Sequence, residues 1–192
     1  MIFREVEDRD LILKAQQGDV DAYNVLVSRW DKRVFAYLVR SVGDREDALD
    51  LAQDTFLKAY RGLAKLADVE RFPQWLFRIA HNEAISMHRR SRPVGGEDEL
   101  EAAASRSPEL RTRAAAETTV MVEQALRNLP EDQREAVELK VYQGFKFHEI
   151  AEITGSPLST VKSRVYAGMD ALKAALAPAA ASPGPGAKEQ EV

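Results

Sequence analysis

Leu26, Trp30, Val34 and Leu38 recur at four-residue steps, and that period decides what the chain can fold into. An α-helix turns every 3.6 residues, so residues three or four apart share a face, whereas a strand alternates every two. Helical spacing returns in Ala48, Leu51, Thr55, Ala59 and Leu63, widened by Phe56 and Tyr60, and again in Leu76, Ile79 and Ala80. No stretch sustains a two-residue alternation. The expectation is an all-α fold, which argues against an α/β catalytic architecture.

Punctuation places the helices. Gly18 stops a first short helix, Asp19 or Asp21 caps a long one, Gly43 ends it and Asp44 caps the next. Pro73 suits the first turn of a helix, where its missing N–H has no intrahelical partner anyway. That helix runs to Arg90 or Arg92. Composition then changes at Pro93 to a Gly-Gly, acidic and alanine-rich stretch holding Pro108. A chain of 192 residues has room for two small domains. The division expected is a helical domain over 8–92, a flexible linker over 93–116, a second helical domain over 117–176 and a disordered Ala/Pro/Gly tail over 177–192.

The chain has no cysteine, which excludes disulfides, a thiol nucleophile and cysteine-based zinc or iron–sulfur sites. No run of about 18 apolar residues exists to span a membrane, and Met1 to Asp10 has no signal-peptide core, so the expected compartment is the cytoplasm. His81, His88 and His148 lack metal-ligand spacing, and no phosphate loop or nucleophile elbow occurs. No cofactor, metal or catalytic residue is expected.

The net charge of −4 speaks against a nucleic-acid binder only until its distribution is examined. Asp44, Glu46, Asp47, Asp50 and Asp54 are opposed by Arg45 alone. Arg61, Lys65, Arg71, Arg78, Arg89, Arg90 and Arg92 then face only Asp68, Glu70 and Glu83. Adjacent segments of opposite sign point to two partners of opposite character.

Three segments carry chemistry. Residues 147–166 read as a helix-turn-helix: Phe147 to Ile153 is a short helix, Thr154-Gly155-Ser156-Pro157 a tight break, and Leu158 starts a longer helix. Val161, Val165, Leu172 and Leu176 form its inward face. Ser159, Lys162, Ser163 and Tyr166 fall on the other, where hydroxyls and a cation suit base edges and phosphates. Ser156 and Pro157 read as N-cap and first helical residue. The same spacing also fits an ordinary helical hairpin. On the helix from Pro73, the residues Arg78, Asn82, Ile85, Arg89 and Arg92 share one face, with Phe72, Trp75 and Phe77 at its start. Cations among aromatics suit unpaired nucleic acid, although a solvated basic face over a core fits the spacing better. On the helix from Asp44, the carboxylates of Asp47, Asp50 and Asp54 line one face beside Leu51 and Gln53. Without converging ligands from elsewhere this is a protein-docking or solvated face, not a cation site.

Taken in order, Asp47 to Tyr60 resembles the core-binding helix of bacterial sigma factors, and Phe72 to Asn82 resembles their promoter-melting helix. Leu129-Pro130-Glu131-Asp132-Gln133-Arg134, ahead of a helix-turn-helix ending in Thr160-Val161-Lys162-Ser163-Arg164, resembles their C-terminal domain. The likeness is to the extracytoplasmic-function (ECF) group of the sigma-70 family and covers roughly residues 8 to 176. It implies that Asp47, Asp50, Leu51, Gln53 and Asp54 dock on the β′ clamp helices of core RNA polymerase. It implies that Trp75, Arg78, Asn82, Arg89 and Arg92 engage the −10 promoter element, where extruding a base costs a few kcal/mol. Leu158, Ser159, Thr160, Lys162, Ser163 and Tyr166 would read the −35 element, the C-terminal domain would meet the β-flap, and an anti-sigma factor would regulate the whole. The alternatives are a free-standing helix-turn-helix repressor, which should show a dimerisation helix, and a sigma-like decoy, which should have lost Arg78, Asn82, Arg89 and Lys162. One departure stands out. Tyr166 is followed by Ala167 and Gly168 where many relatives carry a basic residue, and glycine inside a helix costs about 1 kcal/mol relative to alanine.

Overall fold

The computed structural model describes residues 6–91 and 113–177. Among these residues every regular element is helical: α1 (Asp8–Gln16), α2 (Val20–Val42), α3 (Arg45–Gly62), α4 (Phe72–Ser91), α5 (Arg113–Arg127), α6 (Glu131–Val137), α7 (Phe147–Thr154) and α8 (Leu158–Leu176). Most of the expected linker and nearly all of the tail lie outside the described residues. α5 begins inside the stretch assigned to the linker.

The caps follow the punctuation. Asp19, not Asp21, caps α2, its carboxylate accepting from the Ala22 N–H, and Asp44 caps α3 by accepting from Glu46 and Asp47. Each cap satisfies amides that the helix leaves orphaned, typically worth about 1 kcal/mol. Gly43 closes α2 at φ 80°, a left-handed geometry that glycine adopts without a Cβ penalty.

α1 to α4 pack as one bundle. Leu26, Trp30, Val34 and Leu38 on α2 are all buried, as are Ala48, Leu51, Thr55 and Ala59 on α3, and Leu76, Phe77 and Ala80 on α4. Trp30 and Tyr37 meet Phe77 edge-on at centroid distances of 6.5 and 5.3 Å, the arrangement that aromatic quadrupoles favour. The second half packs α6 on α8 and α7 on both α8 and α4. α6 continues into a π-helical turn, Glu138–Tyr142, in which the Gln143 N–H bonds to the Glu138 carbonyl. Such insertions re-aim side chains, and this one brings Glu138 and Gln143 to face α2.

The two halves do not stand apart. Phe145, just beyond the π turn, packs edge-on against Phe77 of α4 at 5.1 Å, and one continuous core joins Leu26, Leu38 and Leu76 to Ile150, Val161 and Val165.

Candidate functional site

The helix-turn-helix is built on Gly155, whose φ of 65° lets α7 end and the chain turn within three residues into α8. α8 starts at Leu158 with Pro157, not Ser156, as its cap residue. The Ser156 hydroxyl is used otherwise: it accepts from Arg164 at 3.0 Å, and Arg164 also pairs with Asp132 of α6. Val161 and Val165 are buried. Leu158, Ser159, Lys162, Ser163 and Tyr166 are exposed on the outer side, and Thr160 is half-buried. Tyr166 is 59% exposed although its ring leans on Phe147 at 5.9 Å. A row of hydroxyls, a cation and an aromatic edge is therefore presented outward on a helix held rigidly from behind.

On α4, Arg78, Asn82, Ile85 and Arg89 are exposed along one face, opposite Leu76, Ala80 and Ala84. Trp75 is half-buried, tilted onto Phe72 at 6.0 Å, and lies so close to Gly62 that a methyl there would come within 3.1 Å of the ring. Its indole thus anchors the start of the helix while keeping one part at the surface. Arg92 lies outside the described residues. Glu83 is buried on the same helix, paired with Lys58 of α3.

On α3, Asp50, Gln53 and Asp54 are exposed and Asp47 is half-buried. Leu51 corrects the expected docking set. It is only 4% exposed, turned into the bundle with Ala48 and Thr55, so it supports the helix from within and touches nothing outside. The apolar members of this surface are Leu49 and Leu57, 52% and 47% exposed. Their signal was in the sequence: with Gln53 they fall at four-residue steps, off the buried stripe.

A fourth site was not foreseen. The carboxylate of Glu135, on α6, sits between α2 and α4: its Oε1 accepts from the Tyr37 hydroxyl at 2.5 Å and lies 2.6 Å from His81 Nδ1. A carboxylate offers only lone pairs, so the imidazole carries its proton on Nδ1. Burial alone would raise the Glu135 pKa, but the bonds from His81 and Tyr37 outweigh it and hold this carboxyl below its ordinary value. Burial, reinforced by Glu135, drives the Tyr37 phenol well above its own. Nearby, Arg40 donates to Glu138 Oε1 at 2.7 Å and Gln143 donates to the same oxygen at 3.1 Å. Glu138 Oε2 is buried without a partner. Burial therefore raises the Glu138 pKa despite the opposing effect of Arg40. Arg33 donates to the Gln143 carbonyl at 2.8 Å, and Arg71 pairs with Glu152 of α7.

Comparison with known proteins assigns the arrangement. The family model for sigma-70 region 2 matches residues 26–94, and that for sigma-70 region 4 matches residues 119–172. The chain is 33% identical to the RNA polymerase sigma-H factor of Pseudomonas aeruginosa, over 90% of this chain and 95% of that one. The chain belongs to the sigma-70 family. Within it, this sigma factor stands in the ECF group, being 34% identical to the ECF RNA polymerase sigma-E factor of Haemophilus influenzae over 84% of this chain and 91% of that one. It is a transcription factor that directs RNA polymerase to promoters. Its fold is similar to that of CnrH solved in complex with the cytosolic domain of CnrY, with a TM-score of 0.64 and 29% identity, covering 88% of this chain and 96% of that one. It is also similar to the sigma factor RpoE solved in complex with the anti-sigma factor NepR from Bartonella quintana, with a TM-score of 0.62 and 26% identity, covering 80% and 96%. No helix among the described residues is long and apolar enough to cross a membrane.

Proposed function

We propose that this sigma factor divides its work among three surfaces. Asp47, Asp50, Gln53 and Asp54, with Leu49 and Leu57, dock α3 on the β′ clamp helices of core RNA polymerase. Arg78, Asn82 and Arg89 of α4 engage the −10 element as it melts, with Trp75 fixing the start of that helix and Arg92 continuing its basic face. Ser159, Lys162, Ser163 and Tyr166 of α8, flanked by Leu158 and Thr160, read the −35 element in the major groove, and the C-terminal half also meets the β-flap. On this reading 8–92 carries the first two surfaces and 117–176 the third, with 93–116 as the linker between them.

The observation that carries this reading is the exposure of three chemically distinct faces, acidic with leucines, basic with an amide, and hydroxyl with a lysine, on three helices buried on their other sides. Carboxylates and apolar side chains suit a protein surface. Cations and an amide suit strands whose phosphates and bases are both accessible. Short polar side chains on a recognition helix suit a groove. The protein acts in the cytoplasm, uses no cofactor and catalyses nothing: polymerase performs the chemistry. A sigma factor of similar fold has been solved with an anti-sigma factor, which supports an anti-sigma partner here too.

The test is transcription in vitro with bacterial core polymerase on a genomic fragment library. Discrete start sites that need both components are expected. Core binding without transcripts would turn the assignment to a decoy, and tight duplex binding without core to a repressor.

A further inference from the structure

α1 ends on a side chain that reaches across the bundle. Leu11, Ile12 and Ala15 are buried on its inner face, and Gln16, one turn beyond Ile12, continues that face to the rim, where it is half-buried. Its amide nitrogen donates to the Leu63 carbonyl at 3.0 Å and to the Leu66 carbonyl at 2.8 Å. A primary amide carries two N–H groups, so both are committed to one short stretch of backbone, 47 and 50 positions away.

That stretch is the connection from α3 to α4. Leu63–Lys65 makes one tight helical turn and Val69–Arg71 a second, the latter capped by Asp68, whose carboxylate accepts from the Glu70 N–H at 3.1 Å. Between them Leu66 and Asp68 are extended, and the Leu66 carbonyl lies outside both turns. Backbone of this kind has no ladder of its own to fix its shape, and the Gln16 amide supplies two fixed points. The other link from α1, Arg9 to Glu70 at 4.0 Å, joins two well-exposed side chains and contributes little. Leu63 is already anchored by burial. Apolar packing alone tolerates several backbone shapes, whereas a side chain bonded to two carbonyls specifies one.

Shape matters here because the connection leads straight into Phe72 and Trp75 and leaves Lys65, Asp68 and Arg71 exposed on the approach to α4. Unpaired bases are recognised by stacking and by hydrogen bonds to their edges, and such bonds discriminate only when the groups making them are held still. We propose that Gln16 is a positioning residue for −10 recognition: its amide clamps Leu63 and Leu66 so that the connection keeps one shape while promoter strands unpair against it. This rests on the assignment of α4 to the −10 element.

The test uses holoenzyme on promoters that share one −35 element and vary the −10 element one base at a time. Gln16→Met keeps the length and the apolar contacts of the side chain and removes both donors. The ratio of initiation between the best −10 element and its single substitutions should shrink by about tenfold, the scale of one or two neutral hydrogen bonds. Gln16→Glu, which sets a carboxylate against two carbonyl oxygens, should shrink it at least as far. Preference among −35 variants, affinity for core and melting temperature should stay close to the parent's in Gln16→Met, which decides the matter if Gln16→Glu proves poorly folded. Unchanged −10 ratios in Gln16→Met overturn the proposal. So does an equal loss on all promoters with an early melt, which would make the clamp a matter of stability alone. Asn82→Ala on the same promoters tests the underlying reading. If it too leaves the −10 ratios unchanged, α4 is not at the −10 element; altered ratios in Asn82→Ala beside parent-like ones in Gln16→Met count against Gln16 alone.

Discussion

Gly168 of α8 lies against Val137 of α6 so closely that a methyl built on it would come within 2.7 Å of Val137 Cγ2 and 3.3 Å of the Gln133 carbonyl oxygen. The glycine that costs α8 helix propensity is thus the point at which two helices touch backbone to side chain. Gly168→Ala gains about 1 kcal/mol of propensity, but it forces a β-branched buried side chain and a carbonyl apart, and overpacking of this kind typically costs about 1–3 kcal/mol. The net expectation is destabilisation by chemical denaturation. Adding Val137→Ala should make the pair less damaging than the sum of the single changes; strict additivity would show that the contact is not the reason for the glycine.

The acidic face of α3 gives the second prediction. Asp50 and Asp54 are exposed, so Asp50→Arg with Asp54→Arg should leave helix content and melting temperature nearly unchanged. Like charges brought together at an interface cost several kcal/mol, so affinity for core polymerase should drop by about a hundredfold or more in a pull-down titration. Normal binding by this variant would remove α3 from the docking surface.

Lys162 is exposed on α8, with Val161 buried just before it. Replacing it with alanine should weaken transcription from promoters with a −35 element by about tenfold, on the scale of one lost base or phosphate contact. Promoters that lack the element should be unaffected, as should affinity for core. Equal loss on both promoter types would assign Lys162 a structural part.

Acid and base should act oppositely on the two buried carboxylates. Glu135, flanked by Tyr37, His81 and Arg164, titrates below the ordinary value of 4.5 in the folded chain. Its contribution to stability is complete above 4.5 and is lost as pH falls through the depressed folded value. Glu138, facing Arg40 and Gln143, titrates above 4.5. The folded chain therefore favours its protonated form, and stability declines as pH rises from 4.5 to that raised value. Melting temperatures recorded between roughly pH 3.5 and 6.5 should show Glu135→Gln flattening the acid side and Glu138→Gln the other. Parallel slopes in parent and variants would contradict the burial of these groups.

The helices were legible because each carries its own evidence: a stripe such as Leu26, Trp30, Val34 and Leu38, and a cap such as Asp44, lie within a few residues of what they determine. Exposure on α4 and α8 followed from the same periodicity. Leu51 entered the docking set through the resemblance, although its place on the stripe of Ala48, Thr55 and Ala59 already turned it inward, about 100° around the helix from Asp50. Ser156 lost the cap to Pro157 because Arg164, two turns on, claims its hydroxyl. The contact between the halves left no local trace at all. Tyr37 and Glu135 are 98 positions apart, and a glutamate on a short helix reads as solvated until a distant tyrosine and histidine are seen around it.

The chain of residues 92–112 joins α4 to α5, and that covalent join sets the terms for anything that would take the place of Glu135 and Glu138 on the face formed by Tyr37, Arg40 and His81. A tethered neighbour is present at an effective concentration of about millimolar however dilute the protein is. A free competitor at about micromolar concentration must therefore have roughly a thousandfold greater intrinsic affinity for Tyr37, Arg40 and His81 than Glu135 and Glu138 possess, merely to share the face equally. The threshold stays the same whether the cell holds few copies of the sigma factor or many, because an intramolecular contact does not dilute.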